Sequence, residues 1–181
     1  PYFIGARPVT QVEWVAVMEN NPSKFQEGWS AGLKPVERVS WLDCQKFISI
    51  LNQSETGLRL GLSGIWRLPT AEEWEFACRA GSKTRWYHSD RDAELDEVAW
   101  HAGNSGASTR EVGQKKENAW GLYDCHGNVA EWTNTEDGIK RITKGGSWLM
   151  ESESTTSSAR SSSSVDKRSD AIGVRLVWAP L

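Results

Sequence analysis

The chain places two carboxylates, Asp124 and Glu131, seven residues apart around a glycine turn. Calcium takes about six to eight oxygen ligands from carboxylates and main-chain carbonyls, and a turn of this kind supplies both. A solvated turn without a ligand fits the same spacing. The residues alone therefore leave two interpretations open, a calcium loop and an exposed turn.

One histidine, His126, lies inside this turn, and an imidazole can bind a softer metal. The other two histidines, His88 and His101, stand at no ligand spacing from it. We therefore expect His126 to orient its neighbours or to be exposed, and not to bind a metal.

The three cysteines, Cys44, Cys78 and Cys125, are widely spaced, and none forms a C-x-x-C pair. An odd number of cysteines excludes a complete disulfide framework. Cys44 and Cys78 fall on apolar stripes with helical spacing, which predicts buried thiols that behave as small hydrophobic side chains.

The chain carries no motif of a known catalytic centre. G-x-S-x-G, H-E-x-x-H and a phosphate-binding glycine loop are all missing from the sequence. The neighbouring acids Glu72 and Glu73 suit the negative charge preferred at a helix N-terminus, and Asp90 with Asp92 suits a solvated loop. Neither pair is expected to act as a general acid and base.

Three capping boxes, each a Ser or Thr followed three residues later by an acid, mark the starts of helices. They are Thr10 with Glu13, Ser40 with Asp43, and Thr70 with Glu73. Apolar residues then recur at helical spacing until Asn20, Asn52 and Gly81 interrupt the pattern. The first half of the chain is therefore predicted to hold three short helices, the last ending at a left-handed Gly81.

The second half changes to short β-prone runs separated by turn residues. The runs are Val98–Trp100, Glu111–Gly113, Val129–Thr133, Arg141–Thr143 and Gly173–Trp178. The stretch from Ser152 to Ser164 has eight serines in thirteen residues, a composition typical of flexible loops. Ordered-looking segments flank it, so we expect a surface loop system inside the domain.

The composition suits one globular domain. The 181 residues are 38% apolar and 25% charged, with a net charge of −3, which argues against a nucleic-acid partner. No apolar run approaches the roughly 20 residues of a membrane-spanning helix, and the start has no signal-peptide pattern, so we expect no membrane insertion. Eleven tryptophans suit a loop-rich core.

Six motifs follow one another along the chain: PVTQVEW, PVERVSWLDC, WRLPTAEEWEFACRAG, NAWGLYDCHGNVAEW, KGGSW and IGVRLV. Together they resemble the formylglycine-generating enzyme, or sulfatase-modifying factor, family. The resemblance implies one domain over residues 1–181 with an α+β, C-type lectin-like fold, in which short helices surround a small twisted antiparallel sheet and loops are abundant.

This resemblance assigns scaffold roles to two sets of residues. The tryptophans expected in the frame are Trp41, Trp66, Trp74, Trp120 and Trp132. The glycines expected to meet backbone requirements are Gly121, Gly127, Gly145 and Gly146.

The resemblance also implies a structural calcium ion in the glycine turn. Its ligands would be the side chain of Asp124, the carbonyls of Gly127 and Val129, and Glu131.

The family's enzymes depend on two cysteines that follow the GGS motif by three and eight residues and hold Cu(I) through soft thiolates. In this chain those positions are Met150 and Thr155. Neither can supply a thiolate, so we expect no copper and no such oxidation.

The segment that follows instead offers small hydroxyls with a few apolar and charged side chains, which suits ligand recognition. This layout resembles the lectin-fold variable proteins of diversity-generating retroelements, whose C-terminal loops vary while the frame stays fixed. We name residues 149–171 the C-terminal loops. The predicted ligand-binding residues in them are Leu149, Met150, Glu151, Glu153, Thr155, Thr156, Ser161, Ser162, Ser163, Lys167 and Ser169. Arg160, Arg168 and Arg175 are expected to brace the loops through Asp166 and Asp170.

We therefore predict a non-catalytic binding domain for a macromolecular ligand, a protein or a glycan, exposed on a cell or virion surface. One alternative is an oxidase of the formylglycine-generating type, or another enzyme, acting on a cysteine-containing peptide. Others are an accessory domain of a larger signalling or surface protein, and a drifted loop that binds nothing.

Overall fold

The computed structural model describes residues 1–53 and 63–181. The helices are α1 (Gln11–Met18), α2 (Trp41–Gln53) and α3 (Ala71–Arg79), with 3-10 turns at Ala31–Leu33, Asp92–Glu97 and Ser152–Thr155. The strands are β1 (Phe3–Ile4), β2 (Gly64–Arg67), β3 (Ala99–Trp100), β4 (His126–Gly127), β5 (Ala130–Asp137), β6 (Lys140–Lys144), β7 (Arg160–Ser164), β8 (Ile172–Gly173) and β9 (Val177–Pro180).

The three predicted capping boxes are present, and each one starts a helix. At α3, Thr70 Oγ1 accepts the N–H of Glu73 at 3.1 Å, and Glu73 Oε2 accepts the N–H of Thr70 at 2.9 Å. These reciprocal bonds satisfy amide groups that have no partner inside the helix. The α3 helix ends through Ala80 and Gly81, which have φ values of 45° and 91°, so the left-handed end begins one residue before the predicted Gly81.

The strands form three small sheets. Their strand orders are β1-β9-β2, β3-β4 and β7-β6-β5-β8, and the β3-β4 and β5-β8 pairs are parallel. The predicted run Gly173–Trp178 divides between β8 and β9. Two residues that lie between these strands bond elsewhere. The carbonyl of Val174 accepts the N–H of Val9, and the carbonyl of Leu176 accepts the N–H of Gly5. The predicted run Glu111–Gly113 is a turn.

The serine-rich stretch is more ordered than its composition predicts. Ser152–Thr155 forms a 3-10 turn, and Arg160–Ser164 forms β7, an antiparallel neighbour of β6. The surface-loop prediction was wrong for β7 because strand pairing is made by main-chain groups, which serine possesses like any other residue.

Two clusters of buried side chains form the core. Trp14 stacks on Phe47 in the first, with ring centroids 4.7 Å apart, and Trp132 donates its indole N–H to the carbonyl of Val39 at 2.9 Å. Trp74 belongs to the second. Trp120, also predicted for the frame, is half exposed and packs edge-on against Phe76 with ring centroids 5.0 Å apart.

All three cysteines are free and buried, as predicted for Cys44 and Cys78. Within the described ranges, none of the helices has the length and apolar character needed to cross a bilayer.

Candidate functional site

The C-terminal loops meet the end of β6 at an open cleft of about 270 Å³. We call it the serine cleft. It is lined by Ala130, Thr143, Gly146, Met150, Glu153, Ser154, Ala159, Arg160 and Ser161. Three of the predicted ligand-binding residues, Met150, Glu153 and Ser161, therefore come together here.

The remaining predicted residues do not line this cleft. Leu149, Glu151 and Lys167 are exposed, and Thr156, Ser162, Ser163 and Ser169 are partly buried. Ser169 lies in the turn that leads to β8, where its carbonyl accepts the N–H of Arg38 at 2.9 Å. Arg160 lines the cleft although it was predicted only as a loop brace; its position directly before Ser161 in the sequence is the signal that could have identified it.

Thr155 is fully buried and does not face the serine cleft, so its place among the surface residues was wrong. Its hydroxyl donates to the carbonyl of Ser152 at 2.8 Å and accepts the indole N–H of Trp86 at 3.2 Å. Its carbonyl lies 2.7 Å from Nδ1 of His126. Thr155 therefore anchors the loop to the core.

His126 is also buried, and it orients its neighbours as predicted. Because Nδ1 faces the carbonyl of Thr155, this nitrogen must donate, and Nε2 is left to accept the N–H of Tyr87 at 3.1 Å. The imidazole thus joins the loop to the segment after α3.

Gly145 and Gly146 meet the backbone requirement that was predicted for them, and Gly146 lines the serine cleft. Gly145 and Gly146 have φ values of 91° and 69°. A Cβ on Gly146 would stand 2.5 Å from the carbonyl oxygen of Ser154, and one on Gly145 would stand 3.0 Å from the ring of Trp74. Only glycine at 146 allows the backbone to approach that of Ser154 so closely, and only glycine at 145 leaves room for the Trp74 ring.

The predicted bracing partners of the arginines were wrong. Arg168 pairs with Asp43 at the start of α2 through bonds of 2.8 and 2.7 Å. Asp170 pairs with Lys24 at 2.6 Å. These partners lie 125 and 146 residues away along the chain, where sequence spacing gives no signal.

The Asp43 carboxylate also completes the capping box with Ser40. Burial by itself would raise the pKa of Asp43, but the Arg168 guanidinium and the Ser40 hydroxyl and N–H lower it to about 2. This carboxylate therefore caps α2 and also binds the C-terminal loops through Arg168.

Arg175 and Glu131 form an ion pair that sequence reasoning missed. Arg175 donates from Nε and Nη2 to the two oxygens of Glu131, each at 2.9 Å, and Trp74 donates its indole N–H to the same carboxylate. Both charged side chains have no exposed area. Burial by itself would lower the pKa of Arg175, but the facing Glu131 carboxylate raises it.

The other acid of the glycine turn, Asp124, is buried, and its backbone has a left-handed conformation with a φ of 54°. Its Oδ2 accepts the N–H of Gly113 at 2.7 Å, while its Oδ1 has a long 3.5 Å contact with Asn128. Burial raises the pKa of Asp124. Among the described residues, Oδ1 of Asp124 therefore has no close hydrogen-bond donor.

Asp124 and Glu131 offer the oxygen ligands that calcium prefers, although both Glu131 oxygens already accept hydrogen bonds from Arg175. Asp124 has a weakly bonded oxygen, and Oε1 of Glu131 accepts only one of the hydrogen bonds to that side chain. In the described ranges, no three side chains of His, Cys, Asp or Glu gather into a metal-binding group, so main-chain carbonyls such as those of Gly127 and Val129 would have to complete the coordination.

Known proteins resemble the chain in sequence and in fold. The chaperone protein LppX of Paenibacillus barcinonensis is 31% identical over 82% of this chain and 69% of its own length. The inactive C-alpha-formylglycine-generating enzyme 2 of Bos taurus is 28% identical over 78% of this chain, which spans about half of that protein (49%). The solved structure of Treponema denticola variable protein 1 superposes with a TM-score of 0.88 at 30% identity, covering 99% of this chain and 84% of the other.

The predicted family, its C-type lectin-like fold and the similarity to a variable protein are all confirmed by these matches. Residues 1–180 match the sulfatase-modifying factor enzyme 1-like domain. The chain therefore belongs to the sulfatase-modifying factor family.

Proposed function

We propose that this domain binds a macromolecular ligand, a protein or a glycan, at the serine cleft and the C-terminal loops around it, without catalysing a reaction. One observation carries the proposal: two stretches on either side of the buried Thr155 converge on one open cleft. Their side chains reach solvent while the residue between them is fixed in the core.

The chemistry of the cleft suits recognition. Glu153 offers a carboxylate, Arg160 a guanidinium, Ser161 a hydroxyl and Met150 an adaptable thioether. These groups can complement hydrogen-bond donors, acceptors and apolar parts of a partner. Because the frame is already ordered, association costs less conformational entropy than it would for a mobile loop.

The thiol chemistry of the family's enzymes has no counterpart at the serine cleft. Of the residues described there, Met150 brings the only sulfur atom, and Thr155 is bonded inside the core. We therefore expect no conversion of a cysteine in a sulfatase-derived peptide to an aldehyde. A mass shift of such a peptide after incubation with the protein would support the oxidase alternative instead.

The similar proteins support the same proposal. One is named a variable protein, and another is named an inactive formylglycine-generating enzyme. We further propose that the C-terminal loops are diversified by a retroelement and that the domain is displayed on a cell or virion surface. A reverse-transcriptase gene beside a near-copy of the 3′ end, differing at adenines, would support diversification, and a locus without both would count against it.

The binding test uses arrays of defined glycans and of purified extracellular proteins. The wild type is compared with a serine-cleft variant, Met150→Ala/Glu153→Gln/Ser161→Ala, and with a matched control, Lys83→Ala/Lys140→Ala, at exposed residues outside the cleft. We expect ligands that the wild type and the control bind and the cleft variant does not. Equal binding by all three proteins would refute the proposed site.

We also propose a structural calcium ion held by Asp124, Glu131 and the carbonyls of Gly127 and Val129. Three buried charges support it: Asp124 and Glu131 are negative and Arg175 is positive, which leaves one negative charge that a cation can offset. Its role would be to hold the glycine turn, which leads into β5 at Ala130, a lining residue of the serine cleft.

A further inference from the structure

A second cleft, of about 320 Å³, lies between α1, α2 and the turn after β7, and it shares no lining residue with the serine cleft. We call it the basic cleft. It is lined by Trp14, Met18, Asn20, Pro22, Arg38, Asp43, Lys46 and Arg168.

The basic cleft has a charge opposite to that of the whole chain. Arg38, Lys46 and Arg168 contribute three positive charges and Asp43 one negative charge, so the cleft carries +2 while the chain carries −3. Arg168 neutralises Asp43 directly. The excess charge therefore belongs to Arg38 and Lys46.

These two side chains are exposed, and in the described part of the chain neither forms an ion pair or a hydrogen bond. Arg38 is nevertheless fixed at its backbone. Its φ is 59°, a left-handed value unusual for arginine, and its N–H donates to the carbonyl of Ser169 at 2.9 Å. The fold thus places a guanidinium at the cleft without giving it a protein partner.

Trp14, which lines the basic cleft, carries a further unpaired donor. Trp14 is 1% exposed, and its indole Nε1 has no hydrogen-bond partner in the described part of the structure. Leaving a buried N–H unpaired is unfavourable, and such groups in native proteins usually have a partner. A ligand with an acceptor oxygen would supply one.

We propose that the basic cleft binds the oxyanion group, a carboxylate or a phosphate, of a small ligand. Arg38, Lys46 and the outer face of Arg168 provide the positive charge, and the Trp14 N–H provides a buried donor. The apolar side chains of Met18 and Pro22 flank the non-ionic part of the ligand. Apart from Arg168, which belongs to the C-terminal loops, this site shares no residue with the surface proposed above for the macromolecular ligand.

The test is an NMR titration of the 15N-labelled domain with inorganic phosphate and, separately, with citrate, each against sodium chloride at equal ionic strength. The Trp14 indole signal is identified by its absence in Trp14→Phe. We expect a saturable shift of this signal with at least one oxyanion, and affinity that falls as salt is raised from about 20 to 200 mM because the charges are exposed. Binding of phosphate but not citrate would identify the ligand group as a phosphate, and binding of citrate but not phosphate would identify it as a carboxylate.

The variant Arg38→Ala/Lys46→Ala should bind the same anion at least about tenfold more weakly. The double variant Lys83→Ala/Lys140→Ala loses the same charge outside the cleft and should bind like the wild type. The proposal is overturned if neither anion gives a saturable shift, if the cleft variant binds like the wild type, or if the control loses affinity equally.

Discussion

The guanidinium of Arg175 and the carboxylate of Glu131 are joined by two hydrogen bonds of 2.9 Å with no solvent exposure on either side chain. Arg175 also donates to the carbonyls of Gly5 and Tyr123. The pair thereby connects the N-terminal segment, the glycine turn and β5.

Removing one partner of this pair should strongly destabilise the fold, because the other charge would remain buried without compensation. We expect Arg175→Met or Glu131→Gln to lower the free energy of unfolding by about 3–5 kcal/mol, measured by urea denaturation. The double variant should lose clearly less than the sum of the two single losses. Additive losses would show that the two charges do not depend on each other.

Calcium binding at the glycine turn should make thermal stability depend on the free ion. A ligand bound only by the native state at a hundredfold excess over its Kd stabilises by about 2.7 kcal/mol, so EDTA should lower the Tm. Asp124→Asn should abolish the response to EDTA while keeping a side chain of the same size. A wild-type melting curve unchanged by EDTA would remove calcium from the proposal.

The contact between Arg168 and Asp43 should contribute to the free energy of unfolding, and this contribution should be lost in acid. The folded-state pKa of Asp43 is about 2, below its ordinary value of 3.8, so this contribution is complete above pH 3.8 and is lost as the pH falls toward 2. We expect it to be on the order of 1 kcal/mol after solvent screening. The unfolding free energies of wild type and Arg168→Met should therefore differ at pH 6 and converge near pH 2; a constant difference would contradict the assignment.

Thr155 should behave as a core residue although serines surround it in the sequence. Thr155→Val keeps the shape but leaves the Trp86 N–H without its acceptor, which we expect to cost about 1–3 kcal/mol in urea denaturation. The control Thr156→Val changes the next, partly buried residue and should cost less. Equal costs would mean that the hydroxyl of Thr155 is not an anchor.

Substitutions in the buried frame should lower the stability of the fold more than substitutions on the exposed C-terminal loops. Trp132→Ala removes a fully buried ring and should cost about 3–5 kcal/mol, whereas Leu149→Ala, at a side chain that is 48% exposed, should stay within about 0.5 kcal/mol. Thermal melting of both variants checks this. Unfolding of the Leu149 variant, with the Trp132 variant unaffected, would reverse the two roles.

The helix starts could be predicted from the sequence because a capping box is a local exchange of bonds over four residues, as at Thr70 and Glu73. The left-handed Gly145 and Gly146 were predictable through the family motif. The partners of Arg168 and Arg175 were not, because contacts across 125 and 44 residues are set by the packing of whole elements. The burial of Thr155 also depends on a distant residue, Trp86.

The pairing of β7 with β6 has a consequence for how the protein can change over generations. Five positions, from Arg160 opposite Lys144 to Ser164 opposite Lys140, are paired through main-chain groups, and the Thr143 hydroxyl of β6 adds a bond to the carbonyl of Ser161 at 3.5 Å. Every amino acid except proline brings the same N–H and C=O groups to such a ladder. Most mutations in the codons of this strand should therefore change its side chains without changing its pairing with β6.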